Sequence, residues 1–262
     1  MSVVVVTGAA NGMGRACLEQ LHGLSTTVVA VDLQAPSIDG AIGVACDVAD
    51  RGAVRRLADE VAGLGPLRAL VHAAGISPTM AAPRRIFEVD LVGTQLLLDA
   101  FEPQVVAGAA AVCFASSAAH QIALMGPQPE LDAFVDAPLA PGFLDEAEAR
   151  FDDSGMAYAW AKRGVIRAAA RAAVTWGARG GRVVSLSPGL IDTGMGRQEL
   201  EAQPMMQVML DATPLRRLGA PEEIAAAVAF LVSDGAAFLT GTDLLVDGGC
   251  LEGLKALAGG GR

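Results

Sequence analysis

"VVVVTGAANGMGRA", residues 3–16, decides the fold. Four valines in a row bury both faces of a strand, because a half-exposed strand would show every second side chain to water. Thr7 and Gly8 close the run, Gly12 and Gly14 follow, and a stretch of helical length begins. Strand, glycine turn and helix in this order let backbone approach a phosphate with no Cβ in the way. The helix then offers free N–H groups and the positive end of its dipole. A second apolar run, "TTVVAV" (26–31), ends at Asp32, 18 residues past Gly14. A carboxylate there accepts hydrogen bonds from adenosine ribose hydroxyls and repels a 2′-phosphate. No arginine or lysine stands beside it, and Asn11 rather than a base occupies the turn. The pattern therefore favours NAD over NADP.

Outward from this stretch the same alternation continues. "LRALVHA" (67–73), "AAVCFAS" (110–116), "GRVVSLS" (181–187) and "DLLVD" (243–247) are further strand candidates. "AVRRLADEVAGL" (53–64) and "PEEIAAAVAFLVS" (221–233) are of helical length. Continuous apolar strands interleaved with helices imply an α/β fold, a doubly wound parallel sheet flanked by helices on both faces. With no linker or repeat, residues 1–262 read as a single domain, followed by a Gly-rich tail at 259–261.

Composition excludes several classes. The net charge of −10 argues against nucleic acid and anionic membrane as partners. Cys17, Cys46, Cys113 and Cys250 lie far apart with no metal or redox spacing, as expected of reduced thiols in a cytoplasmic chain. No metal site is expected. The amino terminus lacks the pattern of a secretory signal. The apolar stretch "VVAGAAAVCFASSAA" (105–119) is too short for a membrane span and reads as helix end, turn and buried strand.

The chemistry concentrates in "YAWAK" (158–162), where the only tyrosine of the chain precedes one of its two lysines by four residues. On a helix that spacing puts both side chains on one face. Hydride transfer between an alcohol and a nicotinamide needs one proton moved at the alcohol or carbonyl oxygen, and Tyr158 is the candidate acid/base. An ordinary phenol, with a pKa near 10, lies about 2 to 3 units above working pH, roughly 3–4 kcal/mol. An ammonium at about 4 Å supplies up to about 4 kcal/mol at an effective dielectric near 20, so Lys162 has the sign and size to close most of that gap.

Together these segments resemble the classical short-chain dehydrogenase/reductase family along nearly the whole chain. "TGAANGMG" matches its glycine motif, "CDVAD" its Asp-Val, "ASSAA" its serine strand, "YAWAK" its Tyr-x-x-x-Lys, and "SPGLIDT" its Pro-Gly segment. "HAAG" stands where the family usually has Asn-Asn-Ala-Gly, and "GTDLLVDGG" resembles its last strand. The resemblance implies a Rossmann-type fold. It implies cofactor contacts by Gly8, Asn11, Gly12, Met13, Gly14, Asp32, Asp47, Val48, Ala74, Gly75, Pro188, Gly189, Ile191 and Thr193, and by Tyr158 and Lys162 at the nicotinamide ribose. Of the pair Ser116–Ser117, it implies that Ser117 holds the substrate oxygen. Where the family often has an asparagine, this chain has Asp90. Either its carboxylate raises the lysine pKa and offsets the pull on Tyr158, or only its backbone carbonyl matters. His72 replaces an asparagine and is assigned no chemistry. Relatives are usually dimers or tetramers, so a homodimer or homotetramer is expected.

Ser117 and Tyr158 stand 41 positions apart, far more than is usual in the family. The insertion, at about 118–154, holds eight acids against one base, Arg150. Its apolar residues fall at helical spacing, which suggests one or two short helices, acidic outside, over the active-site mouth or a neighbouring subunit. A second candidate lid, at about 194–212, carries Met195, Met205, Met206 and Met209. Such side chains either shape an adaptable apolar pocket or fill core. The long insertion resembles the 3α-hydroxysteroid dehydrogenase/carbonyl reductase branch. That implies a small-molecule substrate: a secondary alcohol or ketone on a bulky, mostly apolar skeleton, such as a hydroxysteroid, terpene or aryl alcohol. Two alternatives stay open, a 3-oxoacyl thioester reductase, against which Asp32 counts, and a non-catalytic dinucleotide-sensing protein.

Overall fold

The computed structural model describes residues 2–22 and 26–259. Seven parallel strands form one sheet: β1 (Val3–Thr7), β2 (Thr27–Asp32), β3 (Ala41–Ala45), β4 (Leu67–His72), β5 (Ala110–Phe114), β6 (Arg182–Pro188) and β7 (Asp243–Val246). Their order is β3-β2-β1-β4-β5-β6-β7. The chain moves outward in one direction from β1 to β3 and in the other from β4 to β7. The reversal at β1/β4 opens a crevice at the carboxyl ends of the strands, where ligands bind in sheets of this kind. The sequence predicts six of the seven strands. β3 escapes it because "AIGVA" is a short, largely exposed edge with a glycine at its centre.

Helices cover both faces. On one lie α1 (Gly12–Leu21) and α11 (Pro221–Leu231), packed on each other and on Val4, Val6, Val112 and Leu186. On the other lie α2 (Arg51–Leu64), α4 (Gly93–Phe101) and the long α8 (Ser154–Gly177), over Val5, Leu70, Ala111 and Val183. Asp50 and Asp153 cap α2 and α8 by accepting from the first free N–H groups. Between β4 and α4 the short α3 (Pro83–Ile86) runs into a π turn, Phe87–Val92. Helix α5 (Ser117–Ile122) follows β5, α9 (Gly194–Ala202) and α10 (Pro204–Ala212) follow β6, and α12 (Cys250–Gly259) follows β7. Of the predicted Gly-rich tail, Gly259 closes α12, and 260 and 261 lie outside the described residues. Among the described residues no helix is long and apolar enough to cross a membrane, and no group of three or more His, Cys, Asp or Glu could hold a metal ion.

The insertion forms α6 (Pro129–Val135) and α7 (Phe143–Arg150), packed on α8, α3 and the π turn. Phe134, Phe143 and Phe151 close around Phe87, with Phe134 and Phe143 stacked at 4.6 Å. Its outer surface is acidic: Glu130, Asp145, Glu146, Glu148, Asp152 and Asp153 are exposed, and Asp145 and Glu148 meet Arg84. Asp132 and Asp136 instead turn inward onto Arg163, Arg167 and Arg171, one helical turn apart on α8. That inward pair meets a basic stripe of the chain's own long helix, which periodicity within the insertion alone does not reveal.

Candidate active site

Tyr158 and Lys162 share one face of α8, as their spacing requires, and the Lys162 ammonium lies 5.6 Å from the centre of the Tyr158 ring. That ammonium donates to the carbonyl of Phe114 at the end of β5 (3.1 Å) and lies 3.5 Å from Asp90 Oδ1. Asp90 stands on the π turn, an element often found at functional sites. Gly164 lets this turn close on α8, since a Cβ there would meet Leu91 at 2.6 Å. Gly75 completes the packing, for its Cβ would sit 2.7 Å from Asp90 Oδ1 and 3.1 Å from Lys162 Nζ. Asp90 is fully buried. Its Oδ1 also accepts from the Ile76 N–H (3.0 Å), and its Oδ2 has no partner.

Lys162 is engaged by Asp90 and Phe114, and burial pushes the Tyr158 phenol well above its usual pKa, with the Asp90 charge adding to the rise. Both serines of the pair lie where β5 gives way to helix: the Ala115 N–H still donates to Leu186 (2.8 Å), Ser116 Oγ accepts from the Ala118 N–H (3.2 Å), and Ser117 opens α5 with its side chain buried.

His72 is structural. Thr94 donates to the Asp90 carbonyl (2.6 Å), so it must accept from His72 Nε2 (3.0 Å). His72 Nδ1 then accepts from Thr7 Oγ1 (2.8 Å), which itself accepts from the Ala74 N–H (3.2 Å). Burial, followed by the Lys162 charge, pushes this imidazole down to about 3. The expected outcome by NMR is one neutral Nε2–H tautomer, unchanged from pH 8 to 5. A titration near 6.5 would refute the network.

The glycine turn and the Pro-Gly segment meet beside this cluster. Gly8 has φ +68°, and a Cβ on it would press on Ala74 N at 2.8 Å. A Cβ on Gly14 would strike Gly8 O at 2.2 Å, so α1 seats directly on the turn. Asn11 makes no side-chain cap, which leaves the first N–H groups of α1, around Gly12 and Met13, free of a side-chain partner. Asp32 accepts from the N–H groups of Ala10 (3.0 Å) and Leu33 (2.8 Å), fixing its carboxylate beside the turn. Asp47 accepts from Ala49 N–H and Arg85, while the Val48 side chain is buried and only its backbone can meet a ligand. Across the crevice, Pro188 ends β6 and Gly189 passes Asp247 too closely for any Cβ. Buried Ile191 bridges to Gly219, and Thr193 caps α9 while its methyl faces Gly12. Ala74 and Gly75 lie half-buried between the turn and Lys162. A cradle that side chains would fill, free N–H groups and a fixed carboxylate fit a dinucleotide.

A doubly wound sheet with this cradle and a Tyr-Lys-Ser cluster at its carboxyl edge defines a dinucleotide-dependent oxidoreductase. The family model described as short chain dehydrogenase matches residues 2–127, and that described as Enoyl-(Acyl carrier protein) reductase matches 145–250. D-threitol dehydrogenase of Mycolicibacterium smegmatis is 31% identical over 94% of this chain and 92% of its own. The 3-alpha-hydroxysteroid dehydrogenase/carbonyl reductase of Comamonas testosteroni is 27% identical over 95% and 96%. The crystal structure of 3-alpha-hydroxysteroid dehydrogenase from Pseudomonas sp. B-0831, complexed with NADH, covers 100% of both chains at 30% identity and TM-score 0.80. The chain belongs to the short-chain dehydrogenase/reductase family, whose members bind a nicotinamide dinucleotide, and it resembles the hydroxysteroid branch.

Proposed function

We propose that the protein is an NAD-dependent secondary-alcohol dehydrogenase and ketone reductase. The observation that carries this reading is the half-buried Tyr158 phenol, set on one helix face with Lys162, whose ammonium lies 5.6 Å from the ring centre. The dinucleotide would lie along Gly8–Gly14, Asp32 and Thr193, and supplies the acceptor or donor of the hydride. Tyr158 Oη takes the hydroxyl proton of the alcohol in oxidation and returns it to the carbonyl oxygen in reduction. Ser117, the second of the Ser116–Ser117 pair, holds that oxygen within reach of the phenol. Lys162 and Asp90 tune the phenol through their charges, and the closed packing of Gly75 fixes both. Asp32 supports NAD: its carboxylate is held in place by two backbone donors and would repel a 2′-phosphate.

The lid qualifies the substrate. Met209 fills core beneath α12, whereas Met195 and Met205 are exposed on α9 and α10, free to meet an apolar skeleton. Relatives named for threitol, a small polyol, and for hydroxysteroids share an alcohol as substrate but not its size or polarity, so the test panel spans both. The test is dinucleotide reduction with a panel of hydroxysteroids, terpene and aryl alcohols and polyols, using NAD and NADP, for the wild type and Asp32→Ala. Turnover is expected with kcat/KM for NAD at least about tenfold above NADP, and Asp32→Ala should erase that preference, a loss of about 1.4 kcal/mol or more. Dinucleotide binding without turnover on any alcohol would favour a sensor instead.

A further inference from the structure

We propose that Arg85, on the short helix α3, is a positioning residue for the adenine end of the dinucleotide: it clamps the Asp47 carboxylate where the adenine amino group can donate to it. The inference rests on the dinucleotide-dependent reading above and deepens it at the adenine end of the crevice.

Asp47 follows the end of β3, the strand paired with β2, and the Cys46 N–H before it donates to the Asp32 carbonyl (2.8 Å). With Asp32 placed for the adenosine ribose, the base on that ribose comes next along the carboxyl edge, toward Asp47 and Val48. The backbone here is held firmly. The Asp50 N–H donates to the Asp47 carbonyl (3.0 Å), and a Cβ on Gly93 would press on Val48 O at 3.2 Å. The Asp47 side chain is held from two sides. Its Oδ1 accepts from the Ala49 N–H (2.9 Å) and its Oδ2 from Arg85 Nη2 (3.1 Å), while Arg85 Nη1 donates to Glu88 Oε2 (2.7 Å). One planar guanidinium thus bridges two carboxylates, one beyond β3 and one on the π turn.

Ion pairs as open to water as these add little to stability, since the side chains of Arg85, Asp47 and Glu88 are 42%, 39% and 34% exposed. What the bridge supplies is direction. After one donor on each oxygen, the Asp47 carboxylate keeps further lone pairs in a fixed orientation. Two carboxylates against one guanidinium leave net negative charge, which favours a donor such as the adenine amino group over an acceptor in its place. Without Arg85 the carboxylate keeps one backbone donor and turns more freely, so the cost of fixing it falls on the binding step. The same short segment reaches both ends of the crevice, because Asp90, which meets Lys162, follows Arg85 along α3 and the π turn.

The test compares NAD with nicotinamide hypoxanthine dinucleotide, which carries a carbonyl where adenine has its amino group, by calorimetric titration with no alcohol present. The wild type is expected to bind NAD at least about tenfold more tightly, the worth of a hydrogen bond to a charged group. In Arg85→Ala, and in Arg85→Met, which keeps the stem without a donor, that ratio should fall to about threefold or less through weaker NAD binding. Asp47→Ala should remove the preference as well, and adding Arg85→Ala to it should change the ratio by less than about twofold, since Arg85 acts through Asp47. A wild type that binds both dinucleotides equally overturns the proposal, and so do Arg85 variants that keep its ratio. Equal weakening toward both dinucleotides also overturns it and leaves Arg85 a brace of α3. Binding of neither dinucleotide by the wild type sinks the dinucleotide reading itself, and this inference with it.

Discussion

Replacing Tyr158 by phenylalanine is expected to lower kcat by about 10²- to 10⁴-fold, the usual worth of a positioned acid/base, with dinucleotide affinity held within about threefold. The argument starts from position rather than from pKa. Tyr158 is the only phenol in the chain, and it stands on the face of α8 that also presents Lys162 to Asp90 and the end of β5. Of the other described side chains near Lys162, His72 is held neutral with both ring nitrogens bonded and the Cys113 thiol is pushed up to about 12 by burial, so neither competes for that role. The paired serine variants sharpen the test. Ser117→Ala should cost about tenfold to a hundredfold in kcat/KM by removing a hydrogen bond at the reacting oxygen. Ser116→Ala, which loses the turn contact with the Ala118 N–H, should cost far less activity. The reverse order would give the role to Ser116.

That serine shows where sequence reading reaches its limit. The sheet, its doubly wound order, the glycine turn, Asp32 and the Tyr-Lys face are legible because each depends on short-range pattern: burial period, a conformation only glycine tolerates, a helical turn. Whether the active serine is Ser116 or Ser117 depends on where β5 stops, and strand ends are set by pairing with β6, which lies about 70 residues away. The π turn is equally hidden. "FEVDLV" reads as ordinary helix, and only packing of Leu91 against Gly164 shows why Asp90 faces Lys162. The insertion discloses its helices through apolar spacing but hides the partners of Asp132 and Asp136, which are arginines on α8.

Asp90→Asn is expected to move the alkaline limb of the oxidation pH profile down by about one to two units. The direction follows from charge. A carboxylate near a phenol favours the protonated phenol, so the Asp90 charge adds to the rise that burial imposes on Tyr158, and removing it lets the phenolate form at lower pH. The size is that of one like charge acting within a buried cluster, which moves a pKa by about one to three units. Asparagine suits the site otherwise: its Oδ1 keeps the Ile76 N–H, its Nδ2 replaces an oxygen that has no partner, and the backbone carbonyl keeps its bond from Thr94. Lys162 retains the Phe114 carbonyl and is freed from its counter-charge, which acts in the same direction on the phenol. The profile of kcat between pH 6 and 11, taken beside a circular dichroism melt to confirm folding, reads the shift. A limb that stays in place would mean that the Asp90 charge is neutralised before it reaches Tyr158, leaving its carbonyl bond to Thr94 as the feature the reaction needs.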